Sequence, residues 1–246
     1  MRRRSAIKLR AYTTTPRLTE VLPPVKLINA LPEWWSNLPA YRERPASGAE
    51  KTVVANMMTV KHCYGMQEVY KQGIGLRLWA DVNVAIDRDG AVAAAGKNLQ
   101  VGKAGTVHPE GQYSGAFGPG VQHFKFHSPW AFVCDEPIHF AWTHPCYHQR
   151  DPFRFHTMSA LVEYKNQHST NVNVLLPRTV GERSEHQFAA GEMMVYLFPM
   201  TERKVEVVAE EVTKEEMARI NYAQQVSFRP LIFNRKMGVH PFRRRK

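Results

Sequence analysis

The histidines are the side chains best able to do chemistry in this chain, and there are eleven of them in 246 residues. His123 and His127 stand four apart in QHFKFH, so an extended strand projects both from one face. His144 and His148 bracket Cys146 in H-P-C-Y-H, and His139 and His156 fall on predicted strands to either side. A Zn²⁺ or Fe²⁺ site requires three or four such ligands converging from neighbouring strands. His123, His127, His144 and His148 are therefore the candidate metal ligands. A His₂-carboxylate site also needs an acid two residues beyond a histidine, and none of these four has one. The competing reading is that the imidazoles pack among half-buried aromatics or at a subunit contact. That reading is favoured, and no metal or other cofactor is assigned.

Other reactive groups are equally plain. Cys63 precedes a predicted helix, where a thiolate is favoured, but no histidine–acid partnership attaches to it. The three cysteines are an odd number at unrelated spacings, which implies no disulfide framework and points to a reducing compartment. Asp81, Asp87, Glu110, Asp135 and Glu136 occupy strand ends and turns, as ordinary turn acids do. Phosphate-cradling loops, a dinucleotide glycine fingerprint and a nucleophile elbow are missing from the sequence. No catalytic residue is assigned.

The elements that must hold these residues read as β. TVVANMMTV (52–60) is an apolar run of strand length. Residues 61–73 suggest a short helix closed by Gly73. Residues 75–96 read as a hairpin turning at Asp87-Arg-Asp-Gly90. Six glycines and two prolines in 101–121 predict a long loop. Strands follow at 122–127, 130–134, 138–144, 153–164, 171–176, 186–188, 193–198 and 204–209. Turn signals every 8–15 residues give the signature of an antiparallel sandwich or barrel. Ahead of them lies a proline-punctuated lead-in with one short helix at PEWWSNL (32–38). Its adjacent Trp34 and Trp35 cannot share a helix face, so one is expected to dock on the body and the other to meet a partner. A capping box at Thr213–Glu216 opens a late helix over 214–225.

The expected fold is mainly β: an antiparallel β-sandwich or barrel, β-clip-like or jelly-roll-like, with a few short helices and extended basic termini. Its expected divisions are an N-terminal arm over 1–51, a β-rich body over 52–210, and a C-terminal helix with basic tail over 211–246.

The formal net charge of +11 resides in the two ends. Arg2, Arg3, Arg4, Lys8 and Arg10 supply five charges, and Arg235, Lys236, Arg243, Arg244, Arg245 and Lys246 supply six, without an acid among residues 1–10 or 235–246. The remaining 22 basic and 22 acidic residues balance. Short cationic ends of this kind suit contact with phosphate or with acidic protein surfaces. No run approaches the roughly 18 apolar residues of a membrane-spanning helix, and the opening arginines have no apolar run behind them, unlike a secretory signal.

Several segments, in order, resemble a family encoded by marine tailed phages. They are P-E-W-W-x-x-L (32–38), T-V-K-H-C-Y-G (59–65), G-I-G-L-R-L-W-A-D (73–81), F-K-F-H-S-P-W (124–130), W-T-H-P (142–145), N-V-N-V-L-L-P (171–177) and G-E-M-M-V-Y-L-F-P-M (191–200). The resemblance spans 32–205 and brings no assigned activity with it. The later half also resembles the β-clip arrangement of trimeric dUTPases and deoxycytidine deaminases, through Ser159–Glu163, 171–176 and Gly191–Phe198. The glycine and aspartate of that pattern are missing from Ser159–Glu163, as are its phosphate-binding serine motif and glycine-rich arm, which disfavours a nucleotide hydrolase.

The resemblance and the charged ends together lead to the expectation of a phage virion structural protein, in capsid, neck or tail. It would assemble with copies of itself or with other virion proteins, and touch the phosphate backbone of packaged DNA through its basic ends. It would be made in the host cytoplasm and reside in the virion, with no membrane partner. Two alternatives stand beside it: a β-clip-type nucleotide-processing or His-metal enzyme, and a non-specific nucleic-acid-binding accessory protein.

Overall fold

A computed structural model describes residues 5–43, 56–96, 104–108 and 116–222. The chain is mainly β, with several sheets and few, short helices. In chain order the strands are β1 (Ile7–Thr13), β2 (Val25–Lys26), β3 (Tyr41–Glu43), β4 (Asn56–Met58), β5 (Ile74–Arg77), β6 (Val82–Ile86), β7 (Val92–Gly96), β8 (Gly105–Val107) and β9 (Val121–Phe126). Then come β10 (Trp130–Cys134), β11 (His139–Thr143), β12 (His156–Thr157), β13 (Ala160–Glu163), β14 (Val172–Pro177), β15 (Ser184–Phe188), β16 (Met193–Pro199) and β17 (Val205–Glu211). The helices are α1 (Leu18–Val21), α2 (Glu33–Asn37), α3 (Tyr64–Gln72) and α4, described over 214–222.

The strands join as β10-β1-β17, β13-β11-β16-β5-β2, β12-β14-β9-β8, β15-β6-β7 and the ribbon β3-β4. All pairings are antiparallel except β1 with β17, which run parallel. One apolar core unites the four larger sheets, from Leu9 and Phe132 to Phe126, Leu176 and Leu197. Phe126 meets Phe124 and Phe188 edge-on at 4.8 and 5.1 Å, the arrangement aromatic quadrupoles prefer. A second cluster, Leu27, Trp35, Tyr70, Met193 and Tyr196, packs α2 and α3 against the other face of β16. With both faces covered, β16 reads as the unbroken apolar run MMVYLF rather than an alternation.

The N-terminal division requires correction. Residues 7–13 are not part of an arm: β1 lies in the middle of its sheet, with Ile7, Leu9 and Ala11 buried. The intervening Lys8 and Arg10 hide their period of two, and the body begins at β1 rather than at Thr52. The run 52–60 yields only β4 among the described residues, followed by a 3-10 turn over Val60–His62. The expected 75–96 hairpin narrows to β6–β7, since β5 joins a different sheet.

Two glycines depart from their expected roles, for one reason. Gly73 ends α3 with φ of −65°, outside the left-handed region. A Cβ there would lie 2.4 Å from Leu27 and 2.6 Å from the Val69 carbonyl, so close packing requires the glycine. Gly105 sits in β8, a strand inside the expected loop, where a Cβ would lie 2.4 Å from both the Lys125 carbonyl and the Phe124 ring. The capping box is formed as expected. Thr213 N–H donates to Glu216 Oε2 at 2.9 Å, and Glu216 N–H donates to Thr213 Oγ1 at 3.1 Å.

Candidate functional site

The four candidate histidines are each held by different partners. His144 accepts a hydrogen bond from the Thr157 N–H at Nδ1 (3.1 Å), and its Nε2–H donates to Gln149 Oε1 at 2.6 Å. Gln149 is oriented in turn by donating its amide to the Phe155 carbonyl at 3.2 Å. His148 donates from Nε2 to the Ala30 carbonyl at 2.6 Å and accepts the Tyr196 hydroxyl at Nδ1 at 2.5 Å. Both rings thus have both nitrogens occupied in the neutral form. Burial lowers the pKa of each below the usual histidine range. His148 is a tie between the 144–148 turn, β16 and the 3-10 turn over Leu27–Asn29.

His123 and His127 do share a face, as the strand parity requires, but engage separate groups. His127 Nε2 pairs with Thr106 Oγ1 at 3.0 Å. His123 stacks on His108 with ring centres 4.3 Å apart, and the two Nε2 atoms reach Asn173 Oδ1 at 3.3 and 3.2 Å. Burial, and then the neighbouring His108, lowers the His123 pKa. A polar cleft of about 410 Å³ lies over this pair, with Lys125, Gln167 and Asn171 among its walls. Sequence reasoning misses His108 as a member of this group, although His108-Pro-Glu110 carries the H-x-E spacing; Glu110 lies outside the described residues. Among the described residues no three His, Cys, Asp or Glu side chains are placed to hold a metal ion together.

A second cleft, of about 600 Å³, contains two carboxylates, Asp81 and Glu192. Both hold the Phe188–Glu192 turn: Asp81 accepts the Ala190 N–H at 2.8 Å, and Glu192 accepts the Ala189 N–H at 3.3 Å and pairs with Arg154 at 2.5 Å. Burial raises the Glu192 pKa, with Arg154 opposing it. Each carboxylate thus accepts a backbone N–H of this turn.

The adjacent tryptophans divide as expected of a helix. Trp35 is buried against Tyr70 at 4.7 Å, while Trp34 stays exposed and donates its indole N–H to the Tyr147 carbonyl at 2.8 Å. Trp34 is one of several large apolar side chains left exposed, others of which lie on and next to the β3–β4 ribbon. Tyr41 of β3 pairs across the ribbon with Met58 of β4, and Tyr41 packs on His62 at 4.7 Å. Thr59 ties the ribbon to the lead-in through Pro39 and Ala40. Adjacent strand residues point to opposite faces, yet Met57 and Met58 are 51% and 64% exposed. The ribbon therefore presents methionine on both sides, and Val60, two residues after it, and Tyr64, at the start of α3, are exposed as well.

Of the basic-end residues, Lys8 and Arg10 lie on β1, and Arg10 pairs with Asp135 at 2.7 Å. Arg2, Arg3, Arg4, Arg235, Lys236, Arg243, Arg244, Arg245 and Lys246 lie outside the described residues. No described helix is long and apolar enough to cross a membrane. Comparison with protein-family models, with curated proteins and with solved structures gives no match.

Proposed function

We propose that this chain is an assembly subunit: a structural protein of a phage virion, joined to copies of itself or to other virion proteins through the β3–β4 ribbon. The observation that carries the reading is the pair Met57 and Met58, exposed on opposite faces of a two-stranded ribbon. A ribbon of two strands gains little from its own ladder, and on one of its faces Met58 stands directly across from Tyr41, both exposed, an adjacent apolar pair of the kind that marks a contact surface. Methionine suits such a surface because its flexible thioether adapts to a partner. The phage assignment is supported by the resemblance of residues 32–205, and the basic ends supply a salt-sensitive contribution against packaged DNA or acidic neighbours.

The enzyme alternatives receive less support, because His144 and His148 have both ring nitrogens committed to structural hydrogen bonds. Mass spectrometry of purified particles tests the reading directly: the chain is expected as a virion component, and its consistent absence would sink the proposal. Within particles, replacing Met57 and Met58 by serine is expected to reduce incorporation about tenfold or more, the loss of two buried apolar anchors, while leaving the melting temperature of the isolated chain unchanged. Unchanged incorporation would remove the ribbon from the interface.

A further inference from the structure

A groove of about 840 Å³ runs between the open edges of two sheets. Val205, Glu206, Val207 and Val208 all line it. Side chains of a strand alternate between faces, so four consecutive lining residues mean that β17 presents its edge to the groove. Among the described residues β17 pairs with β1 alone. The phase of that ladder is fixed at both ends. Ile7 N–H donates to the Lys204 carbonyl and Val212 N–H donates to the Thr13 carbonyl, each at 2.9 Å. In a parallel pair one residue in two bonds to a given neighbour. Lys204, Glu206, Val208 and Glu210 thus serve β1, and Val205, Val207 and Ala209 turn their N–H and C=O groups to the open side of β17, those of Val205 and Val207 into the groove.

The opposite wall is cationic. Lys26, at the outer edge of β2, donates to the Gln72 carbonyl at 2.8 Å, and no carboxylate lies within ion-pair distance among the described residues. Lys71 lines the groove too, and Arg203 and Lys204 line it beside β17, but these three are paired with Glu68, Glu136 and Glu206 in turn, so Lys26 is the cation of the groove left for a partner among the described residues. Burial lowers the Lys26 pKa, and the Lys204 charge lowers it further. A partner carboxylate would relieve both costs.

We infer that this groove takes an extended acidic peptide segment of a partner protein, which adds a strand antiparallel or parallel to β17 and sets a carboxylate against Lys26. The open main-chain groups supply affinity without regard to sequence, and the cationic wall selects for acid. Four strand residues span roughly 13 Å, the length of a short linear motif. The inference deepens the assembly reading by naming the chemistry of one partner.

The test uses the full chain and a labelled, end-blocked hexapeptide alternating valine and glutamate, compared with its valine–lysine counterpart by fluorescence anisotropy. The glutamate peptide is expected to bind about tenfold tighter or better. Lys26→Ala is expected to remove most of that preference. Val207→Pro deletes a groove-facing N–H on an edge strand while sparing the β1 ladder, and is expected to abolish binding. Hydrogen exchange on the unmodified chain needs no variant: the peptide is expected to protect the amides of Val205, Val207 and Ala209. Equal binding of the two peptides, or no added protection at those amides, would overturn the inference, as would a solution dimer that already protects them. A chain that binds the glutamate peptide but is absent from particles keeps the groove and loses the virion assignment; a chain present in particles with an inert groove does the reverse.

Discussion

Two buried tyrosines make opposite demands on the same hydroxyl. Tyr164 is fully buried and accepts the Trp142 indole N–H at 2.8 Å. Removing its oxygen would leave a buried donor unpaired, so Tyr164→Phe is expected to destabilise the chain by about 1–3 kcal/mol. The Tyr70 hydroxyl is buried with no hydrogen-bond partner among the described residues, while its ring packs at a tilt against Trp35. Tyr70→Phe keeps the ring and discards the orphan oxygen, and is expected to stabilise by about 1 kcal/mol. Denaturant unfolding of the two variants checks both signs. Histidine adds a pH dependence. Burial lowers the pKa values of His123, His144, His148 and His186 from 6.5. The folded chain then binds fewer protons than the unfolded chain at acid pH, so this part of the stability is complete above about pH 6.5 and is lost as pH falls below it. The melting temperature is expected to drop on acidification, less steeply in His148→Gln, whose amide can still serve Ala30 and Tyr196. An equal slope in that variant would show that His148 does not contribute.

At the scale of elements, legibility follows burial on one face. β9, β10, β11, β14, β16 and β17 are visible in the sequence because alternation or a continuous apolar run declares a strand wherever the core takes its side chains. Elements whose residues answer to a distant neighbour are not visible. Gly105 resembles loop composition because a local reading cannot know that Phe124 and the Lys125 carbonyl press on its missing Cβ. Gly105→Ala is accordingly expected to cost about 2 kcal/mol, within the overpacking range, and to release β8 while the rest of the fold persists. Loss of amide protection confined to β8 and its partner β9 would verify it. The candidate site is legible only in part. His144 and His148 attract attention by type and spacing, but their roles depend on Gln149, Ala30 and Tyr196, which no spacing rule places beside them. The ribbon escapes a sequence reading because a pair of methionines in an apolar run looks like core until exposure is known.

For the whole molecule, the separation between neutral body and charged ends falls at a different place from where charge alone puts it. Arg10 is tied to Asp135 and Lys8 stands on a central strand, so two of the eleven terminal charges belong to the fold, and nine lie in Arg2–Arg4 and 235–246. β1 joins β10 to β17, and without it both lose their partner in that sheet. Deleting residues 1–13 is therefore expected to prevent folding, whereas deleting 1–4 together with 235–246 is expected to leave the melting temperature unchanged. The two truncations separate structure from electrostatics. If the nine outer charges meet phosphate, the slope of log affinity for duplex DNA against log salt should become shallower by about 0.9 for every phosphate that the shorter chain no longer neutralises. A truncated chain that keeps the full slope would place the phosphate-binding groups on the body instead, and a chain that fails to fold without residues 1–4 would move the boundary of the body still closer to the start.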